Sequence, residues 1–590
     1  MVKLTINNMN VEANEGDTVL ATAHKVGIKI PTLCYLENVQ AIGACRVCLV
    51  EIAGAKALSA ACVTPVAEGM KVETNNKRVR DARRAVMELL LSDHGGDCQT
   101  CDRNADCEFQ GLARELGIRD IAFPGEKSKK YEDASTPALT RDSSKCVLCR
   151  RCVTVCTQVQ NVGALFPQNR GFKTVVGPAF CQNLDDVACV QCGQCAAVCP
   201  VGAISERDDI ARVWEAIDDP NKFVVVETAP AIRAALGECF GYPPGTLVTG
   251  KMAAALRRLR FDAVFDTNFT ADLTILEEGT ELLTRLKKAI VNKEKIPLPL
   301  FTSCCPGWIK FAEYFHPEVL PNLSTCKSPQ QMFGAAAKTY YSKKIAKHPR
   351  DVFVVSVMPC TAKKFEAQRP EMHDSWNQDV DVVLTTRELG HMIEQAGIDF
   401  KSLPDEKMDA PMGMSSGAAD IFANTGGVME AALRTAYEII TGRQIPFDGM
   451  HVRPIAGLTG IKQASVKITG TVPDWSFLEG VEVNVAVVHG LANANKIIEM
   501  NASGKSNFHF IEVMTCPGGC IGGGGQPRLT TNDVREKRMQ AIFKEDEHKQ
   551  MRKSHENPEV KEAYERFFTG PLSEQSHQFL HTHYTPRERV

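Results

Sequence analysis

Cysteine spacing constrains this chain more than any other feature. It has 23 cysteines, and most fall in groups with two- or three-residue gaps. Disulfide frameworks of that density belong to small secreted domains. This chain has 590 residues, and its opening "MVKLTINNMNVEANEGDTVL" lacks a basic stretch followed by an apolar one, so no signal peptide is expected. Thiols grouped this way ligate metal ions or clusters. The length implies several domains, since single cores rarely grow past about 250–300 residues.

Residues 1–80 begin with an alternation that predicts a strand pair, then "DTVLATAHKVG", a helix with Asp17 as N-cap and Gly27 just past its end. Cys34, Cys45, Cys48 and Cys62 follow as C-x10-C-x2-C-x13-C, a looser form of plant-type [2Fe–2S] spacing. Zinc is the competing reading, and the small, flexible "AIGACRVC" favours a cluster. In "HGGDCQTCDRNADC", His94, Cys98, Cys101 and Cys107 give H-x3-C-x2-C-x5-C. Gly95 and Gly96 supply the turn that returns the imidazole to the thiolates. A lone histidine is more often structural, but its place just ahead of a C-x2-C makes it a ligand candidate. Residues 125–140, "GEKSKKYEDASTPALT", are polar and turn-rich and read as a linker.

Two further runs, Cys146, Cys149, Cys152, Cys156 and Cys189, Cys192, Cys195, Cys199, each follow C-x2-C-x2-C-x3-C. In that two-cluster signature the fourth cysteine of each run ligates the other cluster. Cys146, Cys149, Cys152 and Cys199 are therefore expected at one [4Fe–4S], and Cys156, Cys189, Cys192 and Cys195 at the second. Thr157 stands where proline is usual. Four clusters in the first 210 residues would form an electron relay, which needs a redox reaction elsewhere.

Past residue 210, "KFVVVE", "DVFVVSVM" and "VEVNVAVVHG" predict strands, with helices such as "GKMAAALRRLRF" and "TGGVMEAALRTAYEII" between them, an α/β region. Three separated segments carry the unusual residues: "TSCCPGW" (302–308), "MPCTAKKFE" (358–366) and "EVMTCPGGCIGGGGQP" (512–527). They supply Cys304, Cys305, Cys360, Cys516 and Cys520. No Lys-Ser/Thr follows the glycines, which excludes a Walker phosphate loop; such glycines let backbone approach a bulky group and donate N–H bonds to it. Adjacent thiols tend to diverge, so Cys304 and Cys305 are expected to do different jobs. Net charge of −3 gives no case for nucleic acid or an anionic membrane as partner. No apolar run reaches the roughly 18 residues of a membrane span. No G-x-G-x-x-G opens a strand–helix unit, so no NAD(P) site is expected in this chain. The expected location is the cytoplasm.

The three late segments resemble the signature motifs of the [FeFe]-hydrogenases, and residues 1–210 resemble the accessory-cluster region of that family's larger members. The tail "SHENPEVKEAYERFF…SHQFLHTHY" is similar to the family's small-subunit segment. The resemblance implies the reaction 2H⁺ + 2e⁻ ⇌ H₂ at an H-cluster. In it Cys305, Cys360, Cys516 and Cys520 hold a [4Fe–4S] cubane, and Cys520 bridges to a diiron unit with CO, cyanide and azadithiolate ligands, inserted by maturation enzymes. It implies that Cys304 is a free thiol passing protons to the azadithiolate amine, its pKa tuned from about 8.5 toward neutrality. It implies a proton relay through Glu278, Ser324 and Glu281 to Arg285 at the exit, although "LEEGTELLTR" alone reads as a solvated helix face. It also places Lys363 as a hydrogen-bond donor to a cyanide, Met358, Met514 and Phe422 as packing around the diiron unit, Gln330 close by, and Ala229 and Pro230 as backbone contacts. Ala231 stands where some relatives have serine. Cys181, Cys239 and Cys326 remain as buried thiols.

Residues 1–210 also resemble the N-terminal part of complex I's largest subunit and of some formate dehydrogenases, which lack the three late segments. Assembly and sensory relatives lack the accessory set or the proton-carrying cysteine. Two electron partners stay open: ferredoxin, serving a stand-alone enzyme, or flavin- and NAD(P)-binding subunits of a complex, bifurcating or not, whose catalytic subunits the chain resembles. The expected architecture is multidomain α+β. It comprises a β-grasp [2Fe–2S] ferredoxin-like domain (1–80), a small [4Fe–4S] domain with one histidine and three cysteine ligands (81–125), a two-[4Fe–4S] ferredoxin-like domain (138–209), an α/β H-cluster catalytic domain (210–528) and a helical small-subunit-like tail (529–590).

Overall fold

The computed structural model describes all residues except 124, 129, 446–452, 455–459, 529 and 590; Lys129 of the expected linker and the ends of the expected tail, 529 and 590, therefore lie outside the described residues. The opening strands Val2–Ile6 and Met9–Ala13 pair antiparallel. They form the edge of a five-stranded sheet completed by Lys71–Glu73, Leu49–Ile52 and Ser59–Ala60. Period-two alternation turns Leu4, Ile6, Val11 and Ala13 inward, where they meet Val19, Leu20 and Ala23 of helix Val19–Lys25 in one core. The N-cap of that helix is Thr18 rather than Asp17. The Thr18 hydroxyl accepts from the Ala21 N–H at 3.2 Å, while the Asp17 carboxylate pairs with Lys25 at 2.7 Å. Gly27, at φ +76°, follows the C-cap Val26.

The segment read as a linker is built into a sheet over its second half. Glu132–Asp133 pairs with Arg141–Asp142, and Leu139–Asp142 pairs with Ile204–Glu206. Its polar residues replace missing ladder bonds: the Thr136 hydroxyl accepts from the Leu139 N–H at 2.9 Å, and the Asp133 carboxylate accepts from the Leu184 N–H at 2.8 Å. A polar composition therefore did not mean a solvated chain.

After residue 210 the described residues form two sheets. In one, Ala263–Asp266, Phe223–Thr228, Val352–Met358 and Val382–Thr385 are all parallel. In the other, Leu300–Phe301, Phe510–Met514 and Glu482–His489 are parallel, and Ile461–Lys467 and Arg453–Pro454 add on antiparallel. Val224, Val225, Val226, Val354, Val355 and Val357 are buried, as central strands covered on both faces require. The C-terminal helices Asn532–His548, Pro558–Ala563 and Glu574–Leu580 pack onto this half. Phe567, Phe568, Phe579 and Leu580 share one core with Phe333 and Tyr340, and buried Arg538 pairs with Glu238 at 2.7 Å. No helix among the described residues is long and apolar enough to cross a membrane.

Candidate active site

All three cysteine-bearing segments of the second half begin where a parallel strand ends. Cys304 and Cys305 follow Leu300–Phe301, Cys360 follows Val352–Met358, and Cys516 follows Phe510–Met514; Ala229 and Pro230 follow Phe223–Thr228. Ligands of α/β sheets bind at the carboxyl ends of strands, and here the ends of two sheets face one cavity. That cavity lies between those ends, the concave kind of site at which small groups bind. Cys304, Cys305, Cys360, Cys516, Cys520, Lys363, Ala229, Pro230, Gln330, Met358, Phe422 and Met514 all line it. Gly519 and Gly523 of the glycine-rich segment line it too, and so do Thr267 and Thr515, which sequence reasoning missed because threonines carry no spacing signal.

Cys305 is the N-cap of helix Pro306–Phe315, with Pro306 at the first helical position. Its sulfur lies 3.1 Å from the Thr515 hydroxyl and accepts the Thr515 N–H at 3.4 Å. Burial pushes the Cys360 and Cys520 thiols up to about 12, with neighbouring cysteine charges adding to it. Cys516 is pushed well above its usual range by burial, then by Cys360, Cys305 and Cys192. Thiols that the protein alone cannot ionise, converging on one cavity, are the donor set of a thiolate-ligated metal group, because a bound cation supplies the missing charge. The residues present therefore fit an iron–sulfur group.

Cys304 turns out differently from the expectation in one respect. Burial, and then the charges of Glu278 and Cys305, push its thiol well above the usual range rather than toward neutrality. Lys363 donates to the Cys304 carbonyl at 3.0 Å and to Glu366 Oε2 at 2.9 Å, leaving one of its three N–H bonds for the cavity. Burial opposes its charge, and Glu366 more than offsets this, so it is held above the usual lysine range. Gln330 donates to Glu366 at 3.2 Å, and its buried Oε1 has no hydrogen-bond partner among the described residues. Ala231 is buried and offers its carbonyl to Gln526 at 3.2 Å.

Helix Asn268–Ile290 carries Glu278, Glu281 and Arg285, and its acids are not solvated: Glu277, Glu278 and Glu281 are all buried. Glu281 Oε2 accepts from the Ser324 hydroxyl at 3.1 Å, and Glu281 Oε1 accepts from Arg285 at 2.7 Å. Glu278 stands between this pair and Cys304; Ser324 and the Ser303 backbone hydrogen-bond to it, while burial and the Glu281 charge push its carboxyl up to about 8.

The accessory thiols gather as well. Cys146, Cys149, Cys152 and Cys199 line one cavity, and Cys156, Cys189, Cys192 and Cys195 line another. Cys34, Cys45, Cys48 and Cys62 are all buried, with Cys48 and Cys62 sulfurs 3.4 Å apart. Cys107 sits close enough to Cys101 for their charges to interact, and the His94 Nδ1 is buried with no hydrogen-bond partner among the described residues. Cys326 is buried as expected, whereas Cys181 and Cys239 are only half-buried. The glycine run has a second role beyond facing the cavity. A Cβ at Gly524 would lie 2.4 Å from the Cys192 carbonyl, and one at Gly523 would lie 2.1 Å from that of Pro359. Gly524 lets the active-site loop press against the Cys189–Cys195 turn, and Gly523 lets it press against Pro359, backbone to backbone. Thr361 and Gln194 secure that contact, donating to the Gln191 and Gly522 carbonyls at 2.8 and 2.9 Å.

Residues 222–524 match the family model described as iron only hydrogenase large subunit, C-terminal domain, and residues 532–587 match iron hydrogenase small subunit. Residues 1–77 match a 2Fe-2S iron-sulfur cluster binding domain, 83–122 the NADH-ubiquinone oxidoreductase-G iron-sulfur binding region, and 145–203 a 4Fe-4S dicluster domain. The chain is 50% identical to NADP-reducing hydrogenase subunit HndD of Solidesulfovibrio fructosivorans over 100% of both chains. It is 40% identical to iron hydrogenase 1 of Clostridium pasteurianum, over 99% of this chain and 100% of the other. Among solved structures, the [FeFe]-hydrogenase HydA1 from Chlamydomonas reinhardtii aligns with a TM-score of 0.58 and 41% identity, covering 63% of this chain and 98% of that one.

Proposed function

This chain belongs to the iron-only hydrogenase family and is an oxidoreductase acting on H₂, and from that premise we propose that it is the catalytic subunit of a cytoplasmic NAD(P)-linked complex. The observation that carries the catalytic part is the single cavity on which Cys304 and the four thiols Cys305, Cys360, Cys516 and Cys520 converge. Those four would hold the cubane, with Cys520 bridging to a diiron unit bearing CO, cyanide and azadithiolate. When bound, that group supplies the redox centre at which two protons and two electrons exchange with H₂. Met358, Met514 and Phe422 keep water from the cavity, Lys363 presents a cation to it, and Gln330, Ala229 and Pro230 fix its shape. Cys304 gives and takes the proton at the inner end of the relay Glu278, Ser324, Glu281.

Electrons would pass along one [2Fe–2S] cluster at Cys34, Cys45, Cys48 and Cys62, a [4Fe–4S] at His94, Cys98, Cys101 and Cys107, and the two clusters of the ferredoxin-like region. The Cys192–Gly193 turn, packed on Gly524, is the natural hand-over point to the active site. The five-domain division set out above belongs to this reading. Flavin- and nucleotide-binding subunits would supply the NAD(P) site; the full-length likeness to a subunit named NADP-reducing supports this over ferredoxin alone.

Anaerobic H₂ uptake with a viologen, on matured protein beside a Cys304→Ala variant, tests the catalytic assignment. Wild-type activity with a loss on the order of 10²–10⁴-fold in the variant is expected for removal of a proton carrier. Undiminished activity in the variant would overturn the role given to Cys304.

A further inference from the structure

The relay just described ends at Arg285, and a guanidinium does not give up its proton in a protein. Arg285 donates twice to Glu281 Oε1, at 2.7 and 3.1 Å, and spends its other N–H groups on the carbonyls of Pro297, Pro321 and Leu323. It is a fixed cation that orients Glu281, and a different group must carry the proton.

The second oxygen of Glu281 faces such a group. Oε2 accepts from the Thr325 N–H at 3.0 Å and from the Thr325 hydroxyl at 3.2 Å. That hydroxyl lies 2.8 Å from Nδ1 of His581 in the C-terminal tail, and His581 Nε2 lies 3.1 Å from Glu277 Oε2. The ring of His577, one helical turn earlier, lies tilted by 44° against His581 with centroids 4.4 Å apart and is exposed. A hydrogen-bonded path of carboxylate, hydroxyl and imidazole thus runs from the buried acid to His581, whose ring touches that of exposed His577, and imidazole is the side chain suited to shuttling protons near neutral pH.

The tail is fastened at this point. Cys326 and His581 form an antiparallel bridge, the Thr582 N–H donates to the Thr325 carbonyl at 2.7 Å, and the Lys327 N–H donates to that of Leu580 at 2.8 Å. The titratable groups facing His581 are Glu277, Glu281, His577 and Cys326. Glu277 also accepts from the Tyr564 hydroxyl at 2.8 Å and the Leu572 N–H at 2.7 Å, so its carboxylate is held in place and turns the Nδ1 edge of His581 toward Thr325.

We propose that His581, with exposed His577 against its ring on the solvent side, exchanges protons with Glu281 across the Thr325 hydroxyl, which makes the C-terminal tail the outer end of the proton path and Arg285 a positioning residue. This rests on the reading of Glu278 and Glu281 as the inner relay. In the inward step the Nδ1–H proton of the His581 imidazolium moves to Thr325 Oγ while the Thr325 hydroxyl proton moves to Glu281 Oε2. One N–H and one O–H bond break, two O–H bonds form, the imidazole and the carboxylate each become neutral, and no electron moves. The outward step is the reverse.

The test compares matured full-length His581→Gln, Thr325→Val, Thr325→Ser and Glu281→Gln proteins by viologen-coupled H₂ uptake in H₂O and D₂O. His581→Gln is expected to lose activity on the order of 10²-fold, with an enlarged solvent isotope effect and partial rescue by added imidazole. Thr325→Val should fall as far without rescue, and Thr325→Ser should keep its rate. A readout independent of turnover is the pH midpoint for carbethoxylation of His577. Burial, and then His581 beside it, work against a proton on that ring, so removing the second should raise the midpoint in His581→Gln. Wild-type rate and isotope effect in both His581→Gln and Thr325→Val, with Glu281→Gln inactive, would leave the inner relay standing and overturn the tail as its outer end. Full activity in Glu281→Gln would overturn the relay itself.

Discussion

Glu278 is 2% exposed, and its Oε2 has no hydrogen-bond partner among the described residues. Burial and then the neighbouring charge of Glu281 push its carboxyl from the ordinary 4.5 up to about 8, against hydrogen bonds from Ser324 and the Ser303 backbone. That displacement makes the ionised form roughly 5 kcal/mol harder to reach than in water. At pH 7 about nine carboxyls in ten therefore hold their proton. The sign then differs with direction of turnover. H₂ evolution draws on the protonated form and should fall as pH rises through about 8, whereas uptake needs the ionised form and should fall as pH drops below it. The same ionisation acts on stability: a folded pKa above the unfolded one means that the site's contribution declines as pH rises from 4.5 and levels off past about 8. Glu278→Gln should remove that decline while abolishing proton passage. The assay is an infrared titration of the protonated carboxyl band, paired with activity in both directions. A band that is absent from the Gln variant and halves near pH 8 is expected. A midpoint near 4.5 would refute the claim that burial and Glu281 govern this acid, and normal turnover by the Gln variant would refute its place in the path.

Other outcomes follow from packing. Gly524→Ala puts a Cβ 2.4 Å from the Cys192 carbonyl and 2.7 Å from the Gly193 Cα. Both neighbours are backbone, so a cost of about 1–3 kcal/mol is expected, read as a lower melting temperature together with slower H₂-driven reduction of the accessory clusters in rapid-freeze paramagnetic resonance. Gly279→Ala, in the interior of helix Asn268–Ile290 with nothing within 4 Å of the added carbon, should instead stabilise by about 0.5–1 kcal/mol, seen as a higher melting temperature. Arg233 is fully buried and pairs with Asp266 and Asp420, each at 2.8 Å. Arg233→Ala leaves buried Asp266 without its guanidinium and Asp420 with only Lys549 at 3.6 Å, and should cost about 3–5 kcal/mol, checked by denaturant unfolding against Arg233→Lys.

Thiol positions were legible in the sequence because ligation ties residue type to short spacing. The exchange of Cys156 and Cys199 between the two runs could be written down from spacing alone, and the structure gathers the eight thiols into those two groups of four. The strands Phe223–Thr228, Val352–Met358 and Glu482–His489 were legible for a related reason: continuous β-branched runs have few folds other than a strand covered on both sides. The polar stretch around Asp133 and Thr136 was misread, because composition cannot show that side chains such as these will bond to backbone in place of water. The glycine run was half-read: its conformational freedom was visible, but not that the partner at Gly524 would be another stretch of this chain.

The acids of "LEEGTELLTR" mark the sharper limit. Their period places Glu278, Glu281 and Arg285 on one helical face, and the same period describes a solvated face and a buried one. What decides between them is the cover. Ser324 and Thr325 lie more than forty positions away from Glu281, and Leu572 and His581 about three hundred away from Glu277. A charge pattern is local, while the low dielectric that turns a carboxyl into a proton carrier is imposed by segments brought in from elsewhere. Cysteine ligands thus announce themselves through the group they must share, whereas a proton path has no such shared centre and is defined only by contacts. Its inner part was reached from the sequence only through likeness to a family. Its outer part, in which His577 and His581 stand one turn apart at the end of helix Glu574–Leu580, becomes readable only once Thr325 is seen lying between His581 and Glu281.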